Sequence, residues 1–292
     1  MQPDHAHVDI GHQSIRSVLR TEIAALCCGG ILVGGIAVLV LRIWNWRPDI
    51  PASYFGDAVL SMSAIKNMSL TGWYTTSEFL GAPYGQNLLD YPAVGDFLHL
   101  CLLRVMVMVW DSPALILNLF YVISFFTVFL GAYVGSRLIG LSRSSSVVVG
   151  VLYTFLPFHL VYGPVHLFLT SYGAVPLWVA LAVRQMGDRP LVEEIPSLRP
   201  SSWVTWIRRP SHLGATVVVL LGATTGLYFA VFMLLVLTVA GATGLLVQRE
   251  RGRTAGTALL GVLGTLILAV QFVPVLVHEA RYGSNAEIVV RG

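Results

Sequence analysis

The sequence predicts an all-α, polytopic membrane protein, and three observations carry that prediction. First, 55% of the 292 residues are hydrophobic and only 11% are charged, whereas an average soluble domain carries about 25% charged residues. So little charge cannot cover a water-facing surface at this size. Second, the apolar residues come in long blocks, and a block of about 18 or more with few charges is long enough to cross a bilayer. Third, arginines gather in the segments between alternate blocks, the bias that marks one side of a membrane. A transmembrane barrel would instead alternate apolar and polar residues over segments of about ten, and no such run occurs. The net charge of +3 and the single lysine, Lys66, argue against nucleic-acid binding, which wants a clustered basic patch.

The first apolar block, 23–44 (IAALCCGGILVGGIAVLVLRIW), covers about 33 Å as a helix, enough for one crossing. Its apolar core is longer than that of a signal peptide, and no small-x-small cleavage site follows before NWRPD. It is therefore read as a retained anchor behind a cytoplasmic segment, 1–22. The second span, 113–136, has Asp111 and Ser112 as candidate N-caps and Pro113 in its first turn. The third, 146–162, and the fourth, 167–183, are joined by the short turn GPVH. A polar segment with five arginines follows, 184–212. The apolar stretch 213–247 would be about 52 Å long as one helix, too long for a hydrocarbon core of about 30 Å. TTGLY near its middle supplies a break, which gives spans 213–228 and 229–247. Charge agrees, because 184–212 and QRERGR at 248–253 are both arginine-rich and so face the same side, with an even number of crossings between them. The seventh span is 254–277. This arrangement puts 12 of the 18 basic residues inside and eight of the 15 acidic residues outside. The chain is thus expected to be a multi-pass protein of the inner (plasma) membrane with a cytoplasmic N-terminus.

That topology leaves an outer loop of about 68 residues, 45–112, too long for a simple connection. Its composition is not that of a disordered segment, since it holds Trp73, Tyr54, Tyr74, Tyr84, Tyr91 and many aliphatics. DAVLSMSAIKNMSL places Val59, Met62, Ile65 and Met68 near one face of a helix, with Lys66 and Asn67 elsewhere. FLHLCLLRVMVMVW, 97–110, is apolar but only about 21 Å long. Both are expected to be helices lying at the membrane interface. LGAPYGQNLLDYP between them has the glycine and proline density of a shaped, irregular loop.

Three carboxylates, Asp57, Asp90 and Asp96, punctuate this loop. A carboxylate at the bilayer centre costs roughly 2.5–3.5 kcal/mol, so they are expected to face water or a polar cavity at the outer rim. Asp57 follows Gly56 and is placed at a helix N-terminus, where a carboxylate can cap free N–H groups. Turn or cap roles also suit Asp90 and Asp96. On the same face, His159 and His166 flank the GPVH turn, and Asn285 and Arg291 follow the seventh span. Two histidines and several aspartates on one face leave a divalent metal open, although their spacing carries no metal-site motif. Cys27 and Cys28 are adjacent and Cys101 stands alone, which reads as apolar packing with no disulfide framework and no zinc site. Asn67-Met68-Ser69 fits the glycosylation pattern, which matters only in a glycosylating secretory pathway.

A long first outer loop with interfacial helices, and an acidic residue soon after the first span, resembles the GT-C class of membrane glycosyltransferases. GDAVLSMSAIKNMSLTGWY, LGAPYGQNLLDYP, GDFLHL, PFHLVYGPVHLFLTSYGAVPL and HEARYGSNAEIVVRG look like stretches of a bacterial branch of large members. The resemblance runs from about residue 23 to the end and rests on the order of these stretches more than on any single motif. It implies a polyprenyl-phosphate-linked sugar as donor, a glycan, lipid or protein as acceptor, and membrane lipid around the fold. It implies that an acidic residue of the first outer loop is the catalytic base, a position that Asp57 matches. A second acidic residue assists, or helps hold a metal where one is used, with Asp90 and Asp96 as candidates. Basic residues at the outer rim would bind the lipid phosphate, and Lys66, Arg104, Arg281 and Arg291 are available. His159, His166 and Asn285 are further candidates for substrate contact. The implied reaction is an inverting transfer without a covalent enzyme intermediate. Members of the class usually carry more spans after the seventh and often a soluble outer domain. The chain is therefore expected to hold the shared seven-span module without every part that completes the donor or acceptor site.

Two other classes compete. A transporter of lipid-linked glycans would place ionisable or broken-helix sites near the midplane, often in repeated halves. Spans two to seven carry almost no charge and show no internal repeat. A non-catalytic membrane scaffold predicts that Asp57→Asn changes nothing.

Overall fold

The computed structural model describes residues 6–79, 83–90, 96–197 and 199–283, with side chains from Ser17 onward apart from those of Gln86 and Asp90. It is an all-α protein with several membrane-spanning helices. The first helix, α1 (Ala6–Leu41), begins well before the apolar block that predicts it, and its apolar part is Ser17–Leu41. The outer loop then forms α2 (Asp57–Thr71), a two-residue antiparallel pair β1 (Thr76–Ser77) and β2 (Gln86–Asn87), and α3 (Phe97–Val107). The strand pair, with Thr76 opposite Asn87, was not legible in the sequence.

α4 (Pro113–Leu138) is the central span, buried along most of its length. Ser112 caps it by accepting from the Leu115 N–H, and Pro113 occupies the first turn, as its sequence signals predict. The expected third span is two helices, α5 (Arg143–Thr154) and α6 (Pro157–Tyr162). Pro157 has no N–H to continue the helix and forces Leu156 into an extended conformation. The expected fourth span differs more. It is a short 3₁₀ turn, Leu167–Thr170, followed by α7 (Ala174–Met186) of only 13 residues. The stretch expected to be polar contains α8 (Pro200–Ile207). The apolar run after it divides as predicted, into α9 (Pro210–Thr224) and α10 (Leu227–Thr243), with Gly226 at φ 150° in the break. A π-helical turn, Gly244–Gln248, extends α10, and α11 (Arg251–Tyr282) closes the described chain. Five of these units are long and apolar enough to cross a membrane: α1, α4, α5 with α6, α10 with its π turn, and α11. α3, α7 and α9 are shorter apolar helices.

Close approach of α4 and α7 organises the bundle. Gly131 and Gly135 form a small-xxx-small pair on α4, the spacing that lets helix backbones meet in membranes. A Cβ at Gly131 would overlap the Gly173 carbonyl oxygen, and one at Gly135 would stand 2.6 Å from the Pro176 oxygen. One apolar core surrounds α4 and includes Ile65 and Met68 of α2, Leu103 of α3, and Phe120 and Phe125. A second lies among α7, α9, α10 and α11, around Trp178, Leu181, Val219, Met233 and Leu260.

Polar ties hold the arginine-rich end. Glu22 of α1 accepts from Arg137 and Arg143, each at 2.8 Å, and from the Tyr133 hydroxyl at 2.7 Å. Gln185, fully buried at the end of α7, donates to Val192 O and Thr257 Oγ1 and accepts from the N–H groups of Leu191 and Val192. The segment after α7 is thereby fixed to the start of α11, so the segments around 184–212 and 248–253 share one end of the bundle.

Candidate functional site

The opposite end carries the outer loop. Asn118, buried inside α4, donates to Pro48 O (3.2 Å) and Ile50 O (2.8 Å) and accepts from Ala52 N–H (2.9 Å). One amide therefore folds the chain leaving α1 back onto α4 and aims it at Gly56 and α2. Asn67 does the same after α2, where its side-chain nitrogen donates to Tyr74 O (3.1 Å) and Thr76 O (2.7 Å). The expected apolar face of α2 needs correction. Ala58, Ser61, Ile65, Asn67 and Met68 are buried, while Val59 is 49% exposed. Asn67 points inward because the loop it satisfies crosses that side of the helix.

Asp57 is the first residue of α2, as predicted. Its carboxylate is engaged in the tertiary structure, where Oδ2 accepts from His166 Nδ1 at 2.7 Å across 109 positions of sequence. The approach is close, since Val165 Cγ1 lies 2.8 Å from where a Cβ on Gly56 would stand. The Asp57 side chain remains 58% exposed, so it stays open to a ligand. Asp96 precedes α3 at the cap position, as predicted, but its side chain makes no capping bond. Its Oδ1 lies 3.7 Å from Nδ1 of His99, a ring stacked at 5.6 Å on Phe168. His99 is buried and its Nδ1 has no hydrogen-bond partner.

Asp57, Asp96 and His166 line one cavity of about 390 Å³, with Ser61, Phe168 and the α9–α10 turn around Gly226 and Tyr228. Among the described residues, no lysine or arginine lines it. Beyond the start of α3 lies a larger apolar groove of about 690 Å³, walled by Trp73, Tyr74, Phe97, Leu220, Ile267 and Val270 among others. Burial, with the Asp96 carboxylate nearby, pushes the Tyr74 phenol above its ordinary value.

The other expected site residues fall elsewhere. His159 does not face the rim but is fully buried, with Nε2 3.0 Å from Ser124 Oγ and its ring packed among Tyr121, Phe125 and Tyr172. His159 is the buried residue of α6, whose Phe158, Val161 and Tyr162 stay exposed. Lys66 and Arg104 sit on α2 and α3, more than two turns from Asp57 and Asp96, and do not line the cavity. Arg281 is exposed in the last turn of α11. The backbone of Asp90 ends a short 3₁₀ turn, Leu88–Asp90, and its side chain lies outside the described part. Asn285 and Arg291 also lie outside the described residues. Among the described residues, no three His, Cys, Asp or Glu side chains gather closely enough to hold a metal ion.

Sequence reasoning missed His99, Asn118 and the structural role of Asn67. The signal was present for two of them. A lone asparagine in an apolar span, or a histidine in an apolar helix, is costly unless it serves a partner.

Fold and site together define an all-α membrane protein with a carboxylate–imidazole cavity at the end of its bundle opposite the arginines. No family model, no curated protein and no solved structure matches the chain.

Proposed function

We propose that this chain is a membrane glycosyltransferase, or the membrane module of one, that moves a sugar from a polyprenyl-phosphate donor to a hydroxyl acceptor. The observation that carries this reading is the convergence of Asp57, Asp96 and His166, from three distant segments, on one cavity. Arginine bias supports a cytoplasmic place for the opposite end, which would open the cavity on the extracytoplasmic face of the plasma membrane. His166 holds Oδ2 of Asp57 and leaves Oδ1 for the acceptor. The carboxylate takes the hydroxyl proton as the acceptor oxygen attacks the anomeric carbon, and the lipid phosphate leaves with the bonding pair. One displacement inverts the anomeric centre. The apolar groove beside α3 suits the isoprenoid chain, and no lysine or arginine among the described residues lines that groove or the cavity, so the phosphate would have to be met by a cation that reaches in from the rim.

The test is selective retention of polyprenyl-phosphate sugar over plain phospholipid by the purified chain in native mass spectrometry, with transfer of labelled sugar measured in membranes. Asp57→Asn should retain the donor and lose transfer by roughly a hundredfold or more, the range for a lost general base. Absence of selective retention by the folded native chain, or undiminished transfer in Asp57→Asn, would sink the proposal.

A further inference from the structure

The segment between α7 and α9 presents a surface that the proposed reaction does not use. α7 and α9 have 13 and 15 residues, about 20 Å and 22 Å as helices, each short of a hydrocarbon core of about 30 Å. Spans that short draw their flanking residues into the membrane interface. α8 is that flank, separated from Pro210 of α9 by Arg208 and Arg209 alone.

α8 is fixed to the bundle by one side. Trp206 is buried, its indole N–H donates to Glu194 O at 2.8 Å, and its ring centre is 4.6 Å from that of His212 on α9. Trp203 lies against Trp206, ring centres 6.3 Å apart, yet is 43% exposed, Val204 is 48% exposed, and Ile195 in the segment before α8 is 57% exposed. Exposed apolar side chains of this size are costly in water and favoured at a lipid boundary. Arg199, Arg208 and Arg209 frame them, all exposed. Arg209 pairs with Glu194 at 3.4 Å, while Arg199 and Arg208 have no acidic partner within 4.0 Å among the described residues. The charge of segments 184–212 and 248–253 together points the same way. Arg184, Arg189, Arg249, Arg251 and Arg253 join these three, and Asp188, Glu193, Glu194 and Glu250 answer only half of them.

We propose that α8 and its flanking arginines dock on anionic phospholipid. Trp203 and Val204 enter the acyl boundary, and Arg199 and Arg208 bind lipid phosphates. An indole at the interface and cations against an anionic leaflet are the two features that such a surface recognises. This inference is independent of the chemistry at Asp57.

The test uses the full chain in phosphatidylcholine vesicles that carry a minor fraction of acyl-brominated phosphatidylglycerol or, separately, acyl-brominated phosphatidylcholine. Bromine quenches indole emission at short range, and the part of the quenching lost in Trp203→Phe is the part that depends on Trp203, whose ring centre is 6.3 Å from that of buried Trp206. Quenching by both lipids is expected, with phosphatidylglycerol at least about twofold stronger. That surplus should fall roughly fivefold or more in Arg199→Gln/Arg208→Gln and vanish for the native chain at high salt. Trp203 unquenched by either lipid would mean that the surface faces water or another protein. Equal quenching by the two lipids, or a surplus that survives both the double substitution and salt, would overturn the headgroup assignment. The salt arm needs only the Trp203→Phe subtraction and neither arginine substitution, so a folding defect of the double variant cannot blur it.

Discussion

Asp57 illustrates how one residue is half legible in sequence. Gly56-Asp57 ahead of a helical pattern predicts a carboxylate at a helix start, and the structure places it there. Its partner, His166, lies 109 positions away and no local pattern joins the two. Replacing His166 by Asn should leave Asp57 in place but less well aimed, lowering the proposed sugar transfer by roughly tenfold, less than the loss from Asp57→Asn. Equal losses in both variants would show that the two act as one unit. Asn118 is the clearest structural prediction at this scale. Asn118→Leu strips partners from Pro48 O, Ile50 O and Ala52 N, which should cost about 1–3 kcal/mol. Thermal unfolding in detergent would read that loss, and limited proteolysis should cut sooner between 46 and 56.

At the scale of elements, breaks matter more than spans. The helix at 113–138 follows from apolar length and cap signals, that at 251–282 from apolar length behind an arginine-rich segment, and the break at Thr225–Gly226 from excess length with a glycine. The helix break at Pro157 and the unwound stretch before α7 were not predicted, although Pro157 marked the first of them. A hydropathy pattern records how apolar a segment is but not whether its backbone stays straight. α4 and α7 meet backbone to backbone at Gly131 and Gly173. Gly131→Val should therefore separate them and destabilise by about 1–3 kcal/mol or more, whereas Gly30→Val, with open space around its Cβ position, should be nearly neutral. Comparable melting temperatures for the two variants would contradict that packing.

At the scale of the molecule, polar ties gather at both ends. Glu22 joins α1 to α4 and α5 at the arginine-rich end, and Asp57–His166 joins α2 to the α6–α7 connection at the other. Glu22→Gln should loosen α1 and make the region near Arg143 more accessible to hydrogen exchange, with little change around Asp57. Two single-cysteine chains test sidedness, each with the native cysteines replaced. Ser197→Cys should be labelled by a membrane-impermeant thiol reagent only from the cytoplasmic side, and Tyr84→Cys, at a residue 96% exposed, only from outside. Labelling of both positions from one side would refute the topology.

The sequence by itself determined that the chain is helical and membrane-embedded, where most spans lie, and which segments share an end. Those properties follow from local apolar length and from charge bias, both of which are sums over neighbouring residues. Only the tertiary structure decided that Asp57, Asp96 and His166 meet, that His159 is buried, and that Asn118 shapes the loop leading to the site. Such contacts depend on how separate helices pack and where their backbones bend. Glycine contacts, a proline break and buried amides set those features, and residues far apart in the chain satisfy one another there.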